Sequence, residues 1–201
     1  MARKTLKFRL YPNRQQRQRL TATLDVCREL YNAALQERSE AGERRSPVRV
    51  FEQINQLPDL KAVRPDLAGV FSQVRQDTLR RLDKTYQAFF ARVQRGQKAG
   101  FPRCKGRHRY DSFSYPQSGF ALRRKLQLSK IGNLKIKQHR DRAGQIKTLT
   151  IRREAGCWYA CFSVQYEPAR LPHSSNIIAI DVGLEAFAAL SDGTRIANHR
   201  Y

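Results

Sequence analysis

One aspartate stands where a sequence of this kind could do chemistry. In the segment NIIAIDVGLEAFAALSDGTRIAN, an apolar run from Ile177 to Ile180 delivers Asp181 at its carboxyl end, and Gly183 follows two residues later. Such a run suits a strand buried on both faces at the centre of a sheet. A carboxylate at its tip, with a glycine leaving backbone room, suits a hard divalent cation. Phe187 to Leu190 is expected to form the paired strand, with Ser191-Asp192-Gly193 as its turn. The segment by itself leaves three roles open. Asp181 caps a turn, or the turn cradles nucleotide phosphates, or the carboxylate binds Mg²⁺ for two-metal hydrolysis of a phosphodiester.

A second group of residues offers charge instead of a nucleophile. FPRCKGRHRY is an acid-free, glycine-containing loop between a helical and a strand pattern, and Arg103, Lys105, Arg107 and Arg109 are its candidate phosphate ligands. The tract around it is longer still. From Lys84 to Arg140 the sole acid is Asp111, and from Met1 to Leu24 there is none. Tyr110, Phe113 and Tyr115 are interleaved with these cations, a mixture that suits phosphate contacts with base stacking. Across the 201 residues, 39 Lys and Arg face 17 Asp and Glu, for a net charge of +22. A folded protein tolerates that imbalance most easily beside a polyanion, whether chromosomal DNA, structured RNA or another anionic partner. The 40% hydrophobic content excludes a disordered tail.

The four cysteines, Cys27, Cys104, Cys157 and Cys161, are scattered and signal neither a zinc site nor a disulfide framework. No stretch approaches a membrane span, and MARKTLKFRL lacks the apolar core of a signal peptide, so a reducing, cytoplasmic setting is expected.

The elements that must position these residues follow from periodicity. Leu6, Phe8 and Leu10 alternate with Lys7 and Arg9, giving a half-buried strand with a cationic outer face, closed by Tyr11 and Pro12. Asn13, with Gln16 three residues on, forms a capping box. Leu20, Leu24, Cys27, Tyr31 and Leu35 continue that helix to Gly42. Pro47, Pro58 and Pro65 leave room for one or two short helices between Glu43 and Asp66. A second long helix follows from Val70, with Val74, Leu82, Tyr86, Phe89, Phe90 and Val93 as its packed stripe and Gly96 as its end. Beyond Gly100, short alternating runs predict an antiparallel sheet or small barrel over residues 111–167, which the first strand could complete. Gly132-Asn133 and Ala155-Gly156 are its expected hairpin turns, and Pro168 to Ser175 reads as a linker.

Taken with the basic region upstream, the Asp181 segment favours the start of a ribonuclease H-like nuclease over an actin-like ATPase. KTLKFRLYPN, the block VFSQVRQDTLRRLDKTYQAFFARVQRGQKAGFPRCKGRHRYDSFSYP and the closing IIAIDVGLEAFAALSDG together resemble the TnpB-like, OrfB-type proteins encoded by transposons, in the right order along the chain. The most specific parts are FPRCKG to SFSYP and the strand bearing Asp181.

The resemblance implies an α+β fold. Residues 1–12 give the first strand of a wedge-like antiparallel β-barrel, and residues 13–96 a helical recognition domain, annotated in such proteins as helix-turn-helix. Residues 97–170 complete the barrel, and residues 175–201 begin a RuvC nuclease domain that is incomplete here. It implies a transposase-associated, RNA-guided endonuclease, with a guide RNA from the transposon end and double-stranded target DNA as partners and no membrane. Asp181 would be the catalytic residue and a Mg²⁺ ligand. The family's second and third carboxylates and its zinc cysteines lie past Tyr201, so Mg²⁺ is expected only in a complete RuvC site. No zinc is expected within this chain, and cleavage by the chain alone is not expected. The nucleic-acid contacts are then Lys7, Arg9 and Tyr11 on the first strand, Gln73 and Gln76 on the second long helix, and the four cations of the 103–109 loop. Ser112, Ser114 and Tyr115 of SFSYP, with Arg123 and Arg124, complete the set. Gln73 and Gln76 are chosen because amides read adenine edges bidentately. The alternative is a DNA- or RNA-binding module, repressor-like and catalytically dead, derived from such a protein.

Overall fold

The computed structural model describes residues 1–140, 144–168 and 177–199. They fall into two compact units, Met1–Glu167 and Pro168–Tyr201. The expected linker lies outside the described residues, Pro168 apart.

The first unit begins with β1, Ala2–Tyr11, whose alternation buries Leu6, Phe8 and Leu10 and leaves Lys7, Arg9 and Tyr11 outside. Helix α1, Arg14–Glu43, then runs for 30 residues. Its capping box is present in full. The Gln16 amide donates to Asn13 Oδ1 at 2.8 Å, and the Asn13 amide donates to Gln16 Oε1 at 3.1 Å, satisfying two orphan donors of the helix start. The stripe Leu20, Leu24, Cys27, Tyr31 and Leu35 is buried as its spacing requires. Two short helices, α2 (Val50–Asn55) and α3 (Leu57–Val63), and a 3-10 turn over Pro65–Gly69 fill the proline-rich stretch. Helix α4, Ser72–Gln94, packs on α1 through Val74, Leu79, Leu82 and Tyr86.

The α4 stripe outlasts its packing. Phe90 and Val93 were expected in the core, yet they are 54% and 50% exposed. At this end the rings pack on one another, Phe89 lying 5.2 Å from Phe90 and 5.4 Å from Phe101. The exposed Phe51, Phe90 and Phe101 line a hollow of about 750 Å³.

Seven strands complete the unit in an antiparallel sheet ordered β2-β6-β7-β1-β5-β4-β3. These are β2 (Ser112–Tyr115), β3 (Phe120–Leu122), β4 (Leu126–Leu128), β5 (Gly132–Ile136), β6 (Gln145–Glu154) and β7 (Cys157–Tyr166), with β1 inserted between β7 and β5. The two edge strands, β2 and β3, are consecutive in sequence, and the Tyr115 and Phe120 rings meet at 6.3 Å, so the sheet curls to near closure. The helices therefore interrupt a barrel-like sheet, as a first strand so far from its partners requires. Phe8, Phe113, Leu149, Ile151, Ala160, Phe162 and Val164 fill the barrel, continuous with the helical core.

Ala155 and Gly156, at φ 47° and 74°, make the two-residue turn between the paired Glu154 and Cys157. The other expected turn is shifted. Leu128 pairs with Gly132, so the loop is Ser129–Ile131 with Lys130 at φ 70°, and Gly132-Asn133 already belongs to β5.

The second unit holds a separate three-stranded antiparallel sheet, β8 (Ile180–Asp181), β9 (Ala186–Leu190) and β10 (Arg195–Ala197), with β9 central. The pairing and turn around Ser191-Asp192-Gly193 are as expected. Asp192 Oδ1 accepts the Thr194 amide at 2.9 Å, and Gly193 takes φ 88°. The burial is not. Ile177 is 90% exposed and Ile180 62%, because β8 is a two-residue edge strand of a small sheet whose one buried hydrophobic, among the described residues, is Ala188.

Candidate nucleic-acid interface

Strand pairing converts the β1 alternation into a two-dimensional cationic face. Arg9 pairs with Tyr159, Tyr159 with Arg152, and Arg152 with Ser112, so one row across four strands alternates cation and hydroxyl-bearing side chain. Tyr11 pairs with Lys135 beside it. The Lys7 ammonium stands 4.3 Å over the Tyr159 ring and the Arg9 guanidinium 5.4 Å over the half-exposed Tyr11 ring, which holds the charges against the ring faces. Glu154 is the acid on this face. It accepts from Lys7 Nζ at 2.8 Å, and that bond raises the Lys7 pKa and lowers that of Glu154. Both groups lie in open water, so the pair adds little to stability. Arg152, Tyr159 and Lys135 escaped the sequence reading, since a period of two cannot say which strands are neighbours.

The 103–109 loop presents its cations from a fixed backbone. Asn32 on α1 clamps Lys105, accepting its amide at 2.8 Å and donating Nδ2 to its carbonyl at 3.0 Å. Pro102 and Tyr110 bury the two ends, and the Tyr110 hydroxyl donates to Thr78 Oγ1 at 3.3 Å. Between them Arg103, Arg107 and Arg109 are exposed and Lys105 half-buried, with its ammonium 5.9 Å from the Tyr31 ring. Among the described residues none of the four forms an ion pair.

The rings expected to stack on bases do not stand with them. Tyr110, Phe113 and Tyr115 are core residues at 7%, 1% and 1% exposure. In SFSYP the aromatic parity faces the barrel interior, where Tyr115 stacks on Phe71 at 5.8 Å and donates its hydroxyl to Ser129 O at 3.1 Å. Burial raises its pKa accordingly. The opposite parity, the half-buried Ser112 and Ser114, is engaged by Arg81 of α4. One guanidinium nitrogen donates to Ser112 O at 2.7 Å, the other to Ser114 Oγ at 2.6 Å, and Asp77 lies 2.9 Å from Nε. This fork fastens the helical region to the barrel's edge strand.

Gln73 and Gln76 are both half-exposed near the start of α4. Gln73 Oε1 accepts the Ser118 amide at 3.1 Å, which leaves its NH₂ as the free half of the side chain. Arg123 and Arg124, with Lys125, sit exposed at the β3–β4 turn beside an open hollow of about 390 Å³.

Asp181 stands exposed at the end of β8, paired with Ala189. Among the described residues no three His, Cys, Asp or Glu side chains come together as metal ligands. No helix among them is long and apolar enough to cross a membrane.

A family model described as a helix-turn-helix domain, HTH_OrfB_IS605, matches residues 1–46. In the structure that stretch is β1 followed by the unbroken α1, one strand and one helix. The chain is 31% identical over 197 residues to InsQ of Escherichia coli (strain K12), whose name describes a candidate RNA-guided DNA endonuclease. The match covers 94% of this chain and 47% of that protein. A similarly named protein of Streptomyces pristinaespiralis is 29% identical over 209 residues, covering 99% of this chain and 50% of its own. The chain thus spans about half the length of the curated relatives it matches, and over that span it is similar to the TnpB-like, OrfB-type proteins.

Proposed function

We propose that these residues form the nucleic-acid-binding part of an RNA-guided DNA endonuclease, holding a guide RNA and double-stranded target DNA in the cytoplasm. The observation that carries this reading is the anchored loop whose four cations have no acidic partner among the described residues. Unpaired positive charge on a fixed backbone is costly in self-repulsion and is relieved by a polyanion. The row Arg152–Tyr159–Arg9 offers a second track of the same kind. The relatives named for RNA-guided DNA cleavage supply the polyanions. In this reading residues 1–12 and 97–170 are the wedge-like barrel, 13–96 the recognition domain, and 175–201 the opening of a RuvC domain in which Asp181 contributes one Mg²⁺ ligand. The metal, held by Asp181 together with further carboxylates, would stabilise the attacking and leaving oxygens of a phosphodiester.

The test is salt dependence. Changing Arg103, Lys105, Arg107 and Arg109 together to Ala should flatten the log-log plot of affinity against salt. Four lost phosphate contacts correspond to a slope change of about 2.8 on single-stranded and about 3.6 on duplex nucleic acid. An unchanged slope removes the loop from the interface.

The α4 amides are assigned a separate role, reading base edges in the duplex next to the target. Here a Gln73→Ala/Gln76→Ala variant should relax sequence preference while leaving the salt slope alone, at about 1–3 kcal/mol of lost discrimination for a bidentate contact by Gln76, Gln73 having only its NH₂ to offer. A motif-depletion assay in a full-length version of the protein that returned the same preferred sequence for wild type and variant would sink that role.

A further inference from the structure

The start of α4 carries a feature that the cationic face and loop do not use. Arg75 lies one turn into the helix at 9% exposure, and its Nε and Nη1 are buried with no hydrogen-bond partner among the described residues. A buried guanidinium left unpaired is destabilising, and burial lowers its pKa here. Around it, Leu57, Pro58, Lys61, Ser72, Arg75 and Gln76 line a hollow of about 240 Å³ between α3 and α4, with no acid in its wall. The helix end at this hollow is open as well. Phe71 at the N-cap supplies no side-chain acceptor, and the first turn of α4 contains no acid. The Val74 and Arg75 amides bond back to Phe71 O at 3.0 and 3.3 Å, whereas those of Ser72 and Gln73 meet no acceptor among the described residues. The positive end of a 23-residue helix, the free Ser72 amide, Lys61 and the unsatisfied guanidinium of Arg75 thus meet at one recess, with the free Gln73 amide next along the helix.

We propose that this recess is a phosphate site, in which Arg75, Lys61, the Ser72 hydroxyl and the first-turn amides of α4 hold one backbone phosphate of bound nucleic acid. A phosphate brings acceptor oxygens in several directions, matching donors that come from a helix end and from two side chains. Gln76 lines the same recess, so a phosphate seated there would fix the register from which that amide reads a neighbouring base edge. The phosphate chemistry stands on the recess alone, and its nucleic-acid source rests on the function proposed above.

Thermal unfolding of the 201-residue protein in inorganic phosphate, at ionic strength held constant with chloride, tests the recess. Wild type should gain stability in a saturable way as the anion binds the native state. Arg75→Met should start from a higher Tm without phosphate, because it removes an unpaired buried charge, and should show only the shallow, non-saturating rise that any protein shows with this anion. Parallel phosphate responses in the two proteins would overturn the site. If Arg75→Met does not fold, amide spectra of wild type decide. Millimolar phosphate should shift Ser72 and Gln73 selectively, and the shift should weaken in Lys61→Met. Unmoved amides overturn the proposal. The source is read from duplex DNA, where Arg75→Met should lower the salt slope by about 0.9, the value of one lost contact. An unchanged slope beside an intact phosphate response would overturn the nucleic-acid assignment and leave free phosphate as the ligand. Should no form bind DNA, the function proposed above fails while the phosphate titration still reports on the recess.

Discussion

Phe8→Ala is expected to cost about 3–5 kcal/mol of unfolding free energy, the range for an aromatic ring removed from a closed core. Phe8 is fully buried at the middle of β1, opposite Ala160 of β7, with the Phe162 ring at 5.9 Å and that of His139 at 5.3 Å. Both sheet neighbours of β1 depend on its inner face, so no single element can shift to fill the void. A typical domain holds about 5–15 kcal/mol in total, so the variant should lose a large share of its stability. Phe90→Ala removes the same ring from a site 54% exposed and should cost far less, about 1 kcal/mol or below. Urea denaturation of the two variants reads the contrast as a shift in midpoint at constant slope. Equal costs would mean that the barrel interior is not the cooperative core.

The largest effect on activity is expected at Asp181. In a protein where further carboxylates join it, Asp181→Asn keeps the side-chain shape and removes the charge that would hold Mg²⁺. Loss of one preorganised charge-stabilising group lowers rates by about two to three powers of ten, and loss of a metal ligand should do no less. DNA cleavage in Mg²⁺ with guide RNA present should vanish in that variant, while RNA binding and its salt slope stay as in wild type. The 201 residues by themselves should bind and not cut. Cleavage by this chain alone would require a metal site or nucleophile that its described residues do not assemble, and would overturn the role given to Asp181.

What the sequence made legible was local. The Asn13–Gln16 capping box, the Leu20 to Leu35 stripe and the Ala155-Gly156 turn are each written within a few residues, and each stands in the structure where the spacing puts it. The misread features depend on distant partners. Alternation in SFSYP fixes that Ser and aromatic residues face opposite ways, but only the barrel says that Phe113 and Tyr115 are inside. The Asn32 clamp on Lys105 spans 73 residues and the Arg81 fork on Ser112 spans 31, so neither leaves a local pattern. Phe90 and Val93 keep helical phase past the point where α4 has anything to pack on. Ile177 to Ile180 have the composition of a central strand without a second layer among the described residues to cover them. Hydrophobic periodicity reports the face a residue would bury, and the topology decides whether a surface arrives to bury it.

The position of β1 bears on how the protein is made. The strand leaves the ribosome long before its partners, which are Ile136 and Lys135 on one side and the stretch from Trp158 to Tyr166 on the other. At about 5–20 residues per second, roughly 8 to 30 seconds of synthesis separate β1 from the last residue it pairs with. During that interval Leu6, Phe8 and Leu10 have no sheet to enter, while α1 and α4 can already associate. Arg3, Lys7 and Arg9 on the same strand then act as gatekeepers, their like charges opposing strand-to-strand pairing between nascent chains. The cations offered to a nucleic acid in the finished molecule would thus have an earlier task, keeping an unpaired strand soluble until the barrel can close around it.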